Sequence, residues 1–111
     1  MNHYYNVPCI AYYVEKIALA PNSTLYASLE DITVADAPAE IVATCVIKNA
    51  ETAGLGFELR VAESTVIENR TYAVRARIEA EGEVRFTTKK IHTVDPRVNY
   101  LKPIEILMSS V

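Results

Sequence analysis

The amino-acid sequence predicts an all-β fold: an antiparallel β-sandwich or partly closed barrel of seven or eight short strands. Three observations predict it. Apolar residues recur at every second position through much of the chain, as they do in strands with one face in a core. Signals rich in Pro, Gly, Asn and Asp divide these stretches at short intervals. No segment keeps a long helical period, so packed strands must cover the apolar faces.

A single β-sandwich domain over 1–111 is expected, with 1–6 as a flexible tail. A chain of 111 residues removes roughly two thirds of its unfolded surface from water on folding. Its hydrophobic share of 50% and charged share of 23% are those of a globular protein, far from a disordered one.

The first strand is expected over Val7–Leu19, rich in Val, Ile and Tyr, with Pro8 near its start where a strand tolerates it. Adjacent Tyr12 and Tyr13 break the alternation and point to a bulge or a change of sheet. Pro21-Asn22-Ser23 reads as a turn, because Pro presets the first corner and Asn and Ser offer local hydrogen bonds. After it, Leu25, Ala27 and Leu29 alternate with Tyr26, Ser28 and Glu30 in the clearest period of two. A loop over Val34–Pro38 then crosses to Glu40–Lys48, whose Val, Ile and Thr predict a central strand with both faces covered.

Gly54 and Gly56 mark a loop before a short strand at Phe57, Leu59 and Val61. The stretch after Val61 loses the period of two and reads as a loop or a single helical turn that Ser64 could cap. The strongest hairpin places Tyr72, Val74, Ala76 and Ile78 on the core face and Arg75 and Arg77 in solvent. It turns at Glu81-Gly82 and returns through Val84–Thr88 with Phe86 inside. From Ile91 to Val98 the spacing carries no clear period, and Asp95-Pro96 reads as a turn. The last strand, Ile104–Ser109, begins after Pro103 and turns Ile104, Ile106 and Met108 inward.

Composition and charge exclude several functions. The formal net charge is −3 and basic residues form no stripe, so nucleic acid is not an expected partner. No apolar run approaches the roughly 20 residues of a membrane span. Met1–Asn6 lacks the basic start and apolar stretch of a signal peptide. Cys9 and Cys45 read as small buried thiols, pairing only if their strands neighbour in register.

No catalytic constellation, cofactor site or metal site stands out. His3 and His92 lie 89 positions apart, and neither has a ligand at metal spacing. There is no GxSxG elbow and no Gly-rich phosphate cradle. Glu30, Asp31 and Asp36 form the densest acidic group and a candidate binding loop. They lack the ligand density of a cation loop, so a solvated rim with Asp31 or Asp36 bonding loop amides is expected. The seven tyrosines suit either half-buried strand positions or an exposed partner surface. Asn22-Ser23-Thr24 and Asn69-Arg70-Thr71 match the glycosylation acceptor pattern, which matters only in a eukaryotic secretory route.

Several motifs occur together. Glu15-Lys16-Ile17-Ala18-Leu19-Ala20-Pro21 precedes Leu29-Glu30-Asp31 and then Ala35-Asp36-Ala37-Pro38-Ala39. Phe57-Glu58-Leu59, Tyr72–Ile78, Gly82 and Phe86-Thr87 follow. In this joint pattern, over roughly residues 7 to 90, the chain resembles the YbaY/YscW family of bacterial envelope lipoproteins. The resemblance implies a compact β-sandwich without catalytic residues, lipid-anchored through an N-terminal Cys. In one branch, the pilotins, it implies binding to a secretin subunit during outer-membrane assembly. Cys9 follows Asn-Val-Pro and does not read as the lipidated residue.

The expected function is therefore a non-enzymatic, envelope-associated protein that binds another protein as a pilotin or chaperone-like accessory. The alternative is a small-ligand or carbohydrate binder using the loop of residues 30–38. By resemblance the location is the periplasm or the inner face of the outer membrane, anchored only through a lipidated leader. It is the cytoplasm if this chain is the complete native product.

Overall fold

The computed structural model describes residues 3–111. Eight strands form one sheet that curls into a nearly closed barrel: β1 (Tyr4–Tyr12), β2 (Thr24–Asp31), β3 (Glu40–Lys48), β4 (Gly56–Ala62), β5 (Tyr72–Ala80), β6 (Glu83–Thr88), β7 (His92–Val94) and β8 (Ile104–Ser110). Their order is β3-β2-β5-β6-β8-β1-β4, with β7 also on β5. Every pairing is antiparallel except β1 with β8, whose parallel register starts at Cys9 opposite Ile104. Of the two architectures expected, this is the partly closed barrel.

The period of two sets the interior. Leu25, Leu29, Leu59, Ile78, Ile106 and Met108 point inward and are fully buried, each contributing about 1.5–3 kcal/mol by leaving water. Across β2 and β5, Leu25 faces Ile78 and Leu29 faces Val74, while Tyr26 faces Arg77 and Ser28 faces Arg75 on the outside. The hairpin after β5 is a two-residue turn, with Glu81 at φ 54° and Gly82 at φ 75°. Two positive angles match the right-handed twist of the flanking strands.

Three expectations change. Residues 4–6, expected within a flexible tail, extend β1: Tyr4, Tyr5 and Asn6 pair with Ala62, Val61 and Arg60. The Arg60 guanidinium lies 4.0 Å over the Tyr4 ring, and Glu63 N–H donates to the His3 carbonyl at 2.9 Å. Met1 and Asn2 lie outside the described residues. At its other end the first strand stops at Tyr12 rather than Leu19. Tyr13 leaves the ladder to stack on Phe86, with ring centroids 4.4 Å apart, and its hydroxyl donates to the Ile17 carbonyl at 2.7 Å. The Glu15 carboxylate accepts Ser110 N–H at 2.8 Å, so this segment closes one end of the barrel as a strap.

The third change concerns β3, which is an end strand rather than a central one. Among the described residues its only ladder is with β2, and β4 lies at the other end of the strand order. Its β-forming composition reports a fit to a pleated surface, not cover on both faces.

The connections use short polar devices. The loop after β3 holds one helical turn, α1 (Ala50–Ala53), entered through Asn49 in the left-handed region at φ 54°. Glu51 on that turn accepts the N–H groups of Asn22 and Ser23 at 3.1 and 3.0 Å. A bond from its own amide, with these two adding to it, holds the Glu51 carboxyl below the usual range, and the two bonds lock the turn before β2. A single 3₁₀ turn stands at Glu63–Thr65, but Ser64 lies within it and is not its cap: Ala62 precedes the turn, and no side chain bonds its amides.

Candidate protein-docking surface

The outer face of β3, β2 and β5 departs from an ordinary solvated sheet. A bulge in the β2–β3 ladder leaves Val42 without an opposite residue and sets Ile41 across from Glu30 on the outside. Ile41 and Val46 on this face are 60% and 52% exposed. Val46, Tyr26 and Arg77 form one row across the three strands, with the Arg77 guanidinium 4.4 Å over the Tyr26 ring. A groove of ≈ 500 Å³ runs along this row, bordered by Ile41, Thr44, Val46, Tyr26 and Arg77.

A second groove of ≈ 520 Å³ adjoins it. One wall is the loop after β2: Ile32, Val34 and the alternating Ala35, Ala37 and Ala39 line it. The opposite wall comes from a break in the next ladder. On one edge of β5, Arg77 pairs with Thr87 of β6 and Val74 with His92 of β7, so Lys89, Lys90 and Ile91 bulge out beside Arg75. Ile91 and Val34 are 72% and 58% exposed across this groove. Glu30 and Arg75 line both cavities and form the ridge between them.

The predicted acidic residues fall at distinct places along this wall. Glu30 is buried: one carboxylate oxygen accepts the Ser28 hydroxyl at 2.7 Å and the other lies 3.4 Å from Arg75 Nε. Asp31 ends β2 and accepts both the hydroxyl and the N–H of Thr33, with Arg70 Nη1 3.4 Å away. The Thr33 bonds, with Arg70 adding to them, hold the Asp31 carboxyl below its ordinary value. Asp36 is exposed at the loop tip, with its side chain outside the groove lining. Among the described residues no group of His, Cys, Asp and Glu is arranged to hold a metal ion.

The remaining candidates are His92 and the two cysteines, of which Cys45 also lines the first groove. His92 lies on β7 opposite Val74, with Nε2 buried and, among the described residues, without a hydrogen-bond partner. Cys9 is buried and Cys45 half-buried, both as free thiols. Burial pushes the Cys9 thiol up to about 12, with the nearby Cys45 adding to the effect.

Sequence reasoning missed the second wall. Lys89-Lys90 is the chain's only adjacent basic pair, and it falls where apolar alternation stops before Ile91. That coincidence of a charge pair with a lost period was the available signal.

Fold and surface define a small, nearly closed β-barrel with a grooved, partly apolar outer face, a form suited to holding another polypeptide. The chain belongs to the family of type III secretion system lipoprotein chaperones, YscW, which matches residues 3–100. Among solved structures it is similar to an alternative pilotin from the type II secretion system of Vibrio cholerae. The TM-score is 0.83 at 28% identity, over 98% of this chain and 100% of that one. No curated protein sequence matches it. No helix among the described residues is long and apolar enough to cross a membrane.

Proposed function

We propose that this protein is a non-enzymatic, pilotin-like accessory of the cell envelope that binds a secretin-type channel subunit and assists its outer-membrane assembly. The pair of grooves on the outer face of β3–β2–β5 receives a segment of that subunit. The observation that carries this reading is the exposure of Ile41, Val46, Val34 and Ile91 around two adjoining grooves. Contiguous apolar exposure of this kind marks interaction surfaces, and it occurs here in a chain of a secretion-chaperone family.

In this role the loop of residues 30–38 is the wall of the docking site. Glu30 and Asp31 hold its base through Arg75, Ser28, Thr33 and Arg70, leaving Val34 free to contact the partner. Asp36 marks the outer rim. Because Glu30 and Asp31 are engaged within the protein, protein binding is favoured over the use of this loop for a small ligand.

The test is the amount of assembled channel in outer-membrane fractions from cells with and without the protein, and with Val46→Asp or Val34→Asp. Loss of the protein should reduce assembled channel at least about tenfold, and each variant should do so while keeping a wild-type circular dichroism spectrum. Undiminished assembly in cells lacking the protein would overturn the reading.

A further inference from the structure

The second groove carries a charge that its surroundings do not balance. Arg75 is engaged with Glu30 at 3.4 Å, so that pair largely cancels. Lys89 and Lys90 form no ion pair among the described residues. The lining side chains of the facing wall, Ile32, Val34 and small alanines, are uncharged, and Asp36 on its outer rim offsets at most one of the two lysines. This local positive excess belongs to a chain whose formal net charge is −3.

We propose that the groove takes an amphipathic segment of the partner with acidic residues beside its apolar anchors. Apolar side chains enter between Val34 and Ile91, and carboxylates meet Lys89 and Lys90 at the rim. The assignment rests on the docking reading above and adds the chemistry of the segment. An acidic protein repels acidic partners at long range, so only a segment whose carboxylates coincide with the two lysines gains from their field. The lysines favour that register, while burial of the apolar side chains supplies most of the affinity. A bilayer fits the site less well, because the apolar residues flank a concave groove. Two lysines also contribute only about 2 kcal/mol toward an anionic surface, against an acidic remainder of the chain.

The test uses two short fluorescent peptides with the same Leu/Phe spacing, one carrying Glu and the other Lys at the polar positions. Anisotropy titrations against the whole chain should show the Glu peptide binding at least about tenfold tighter at low salt. At about 0.5 M salt, where the Debye length falls below ~5 Å, the preference should shrink. Lys89→Glu/Lys90→Glu should abolish or reverse the preference, and Ile91→Ser should weaken both peptides alike. Equal binding of the two peptides, or a preference that survives the double reversal, overturns the proposal. So does capture by phosphatidylglycerol vesicles that the Glu peptide fails to displace. A double variant that still supports channel assembly in full removes the acidic-segment assignment and leaves the docking reading intact.

Discussion

β2 and β3 lie side by side and pair over almost their whole length, and both are rich in β-forming residues, yet one is sealed and the other half open. β2 has a ladder on each edge, and its Leu25 and Leu29 are fully buried. β3 has a ladder on one edge only, and Ile41 and Val46 remain largely in solvent. The difference teaches that apolar content alone does not make a strand central: its neighbours decide what is covered. On β3 the surplus of apolar surface stays in solvent.

The comparison should appear most strongly in thiol chemistry. Cys9 sits inside on β1, flanked by β4 and β8, and Cys45 sits half-buried on the end strand. With its pKa moved from 9.0 to about 12, Cys9 holds about a thousandfold less thiolate near neutrality than an ordinary cysteine. Labelling with a chromogenic disulfide should therefore give one fast thiol and one that reacts only on unfolding, with Cys45→Ser removing the fast phase. Two fast thiols would mean that the barrel opens readily beside β1.

Next in size is packing. Leu25→Ala or Ile78→Ala should each cost on the order of 3 kcal/mol, because both side chains are fully buried and face each other across β2 and β5. Val46→Ala should cost no more than about 0.5 kcal/mol, since its side chain is already in water. Denaturant titration reads both, and equal losses would erase the distinction between sealed and open strands.

A smaller effect belongs to the ridge between the grooves. Arg75 is exposed on the solvent face, as the alternation predicts, and by that alone its removal would be nearly neutral. Its Nε lies 3.4 Å from the buried Glu30 carboxylate, however, so Arg75→Ala strips a buried charge of its cation. A loss of about 1 kcal/mol is expected, largely recovered in Glu30→Gln/Arg75→Ala. Additive losses in the double-mutant cycle would show that the pair does not couple.

These contrasts mark how far the sequence was legible. Inward and outward positions on β2, β5 and β8 followed from period two, because one buried face imposes that period directly. The strand ends did not follow in the same way. Tyr13 is as β-prone as Tyr12, yet it leaves the ladder, with its ring stacked on Phe86 and its hydroxyl bonded to the Ile17 carbonyl. The end position of β3 was hidden because its composition suits a covered strand equally well. Of the proposed docking surface, the loop wall was visible as an acidic, Pro-marked segment. The opposite wall depends on β6 and β7 both pairing with β5, a long-range arrangement that no local pattern records.

The loops holding this architecture should weaken in acid. Asp31, Glu51, Asp95 and Glu15 all have carboxyls held below their ordinary values, in each case chiefly by hydrogen bonds. A carboxyl lowered in the folded state stabilises fully above its unfolded value, and that stabilisation fades as pH falls toward the folded value. The melting temperature should thus be flat above about pH 5 and fall below 4.5 for Glu51 and 3.8 for Asp31. Glu51→Gln should flatten the upper part of that fall. An unchanged acid limb would mean that the α1 turn does not secure the start of β2.

The smallest effect separates the two edges of β5 from each other. Its β2 edge is regular, while its β6 edge carries a bulge, with Ile78 opposite Phe86 but Glu79 opposite Val84, and ends in the Glu81-Gly82 turn. Glu81 occupies the left-handed region at φ 54°, which Asn tolerates better than Glu. Glu81→Asn should therefore raise stability by about 0.5 kcal/mol, since the ion pair to Arg85, 3.9 Å long between exposed groups, contributes little. Gly82→Ala should do the opposite, because φ 75° strains any side chain there even though the surrounding space is open. A gain at Glu81 together with a loss at Gly82 would place the cost in backbone geometry rather than in contacts, and two losses would return it to the Glu81 side chain.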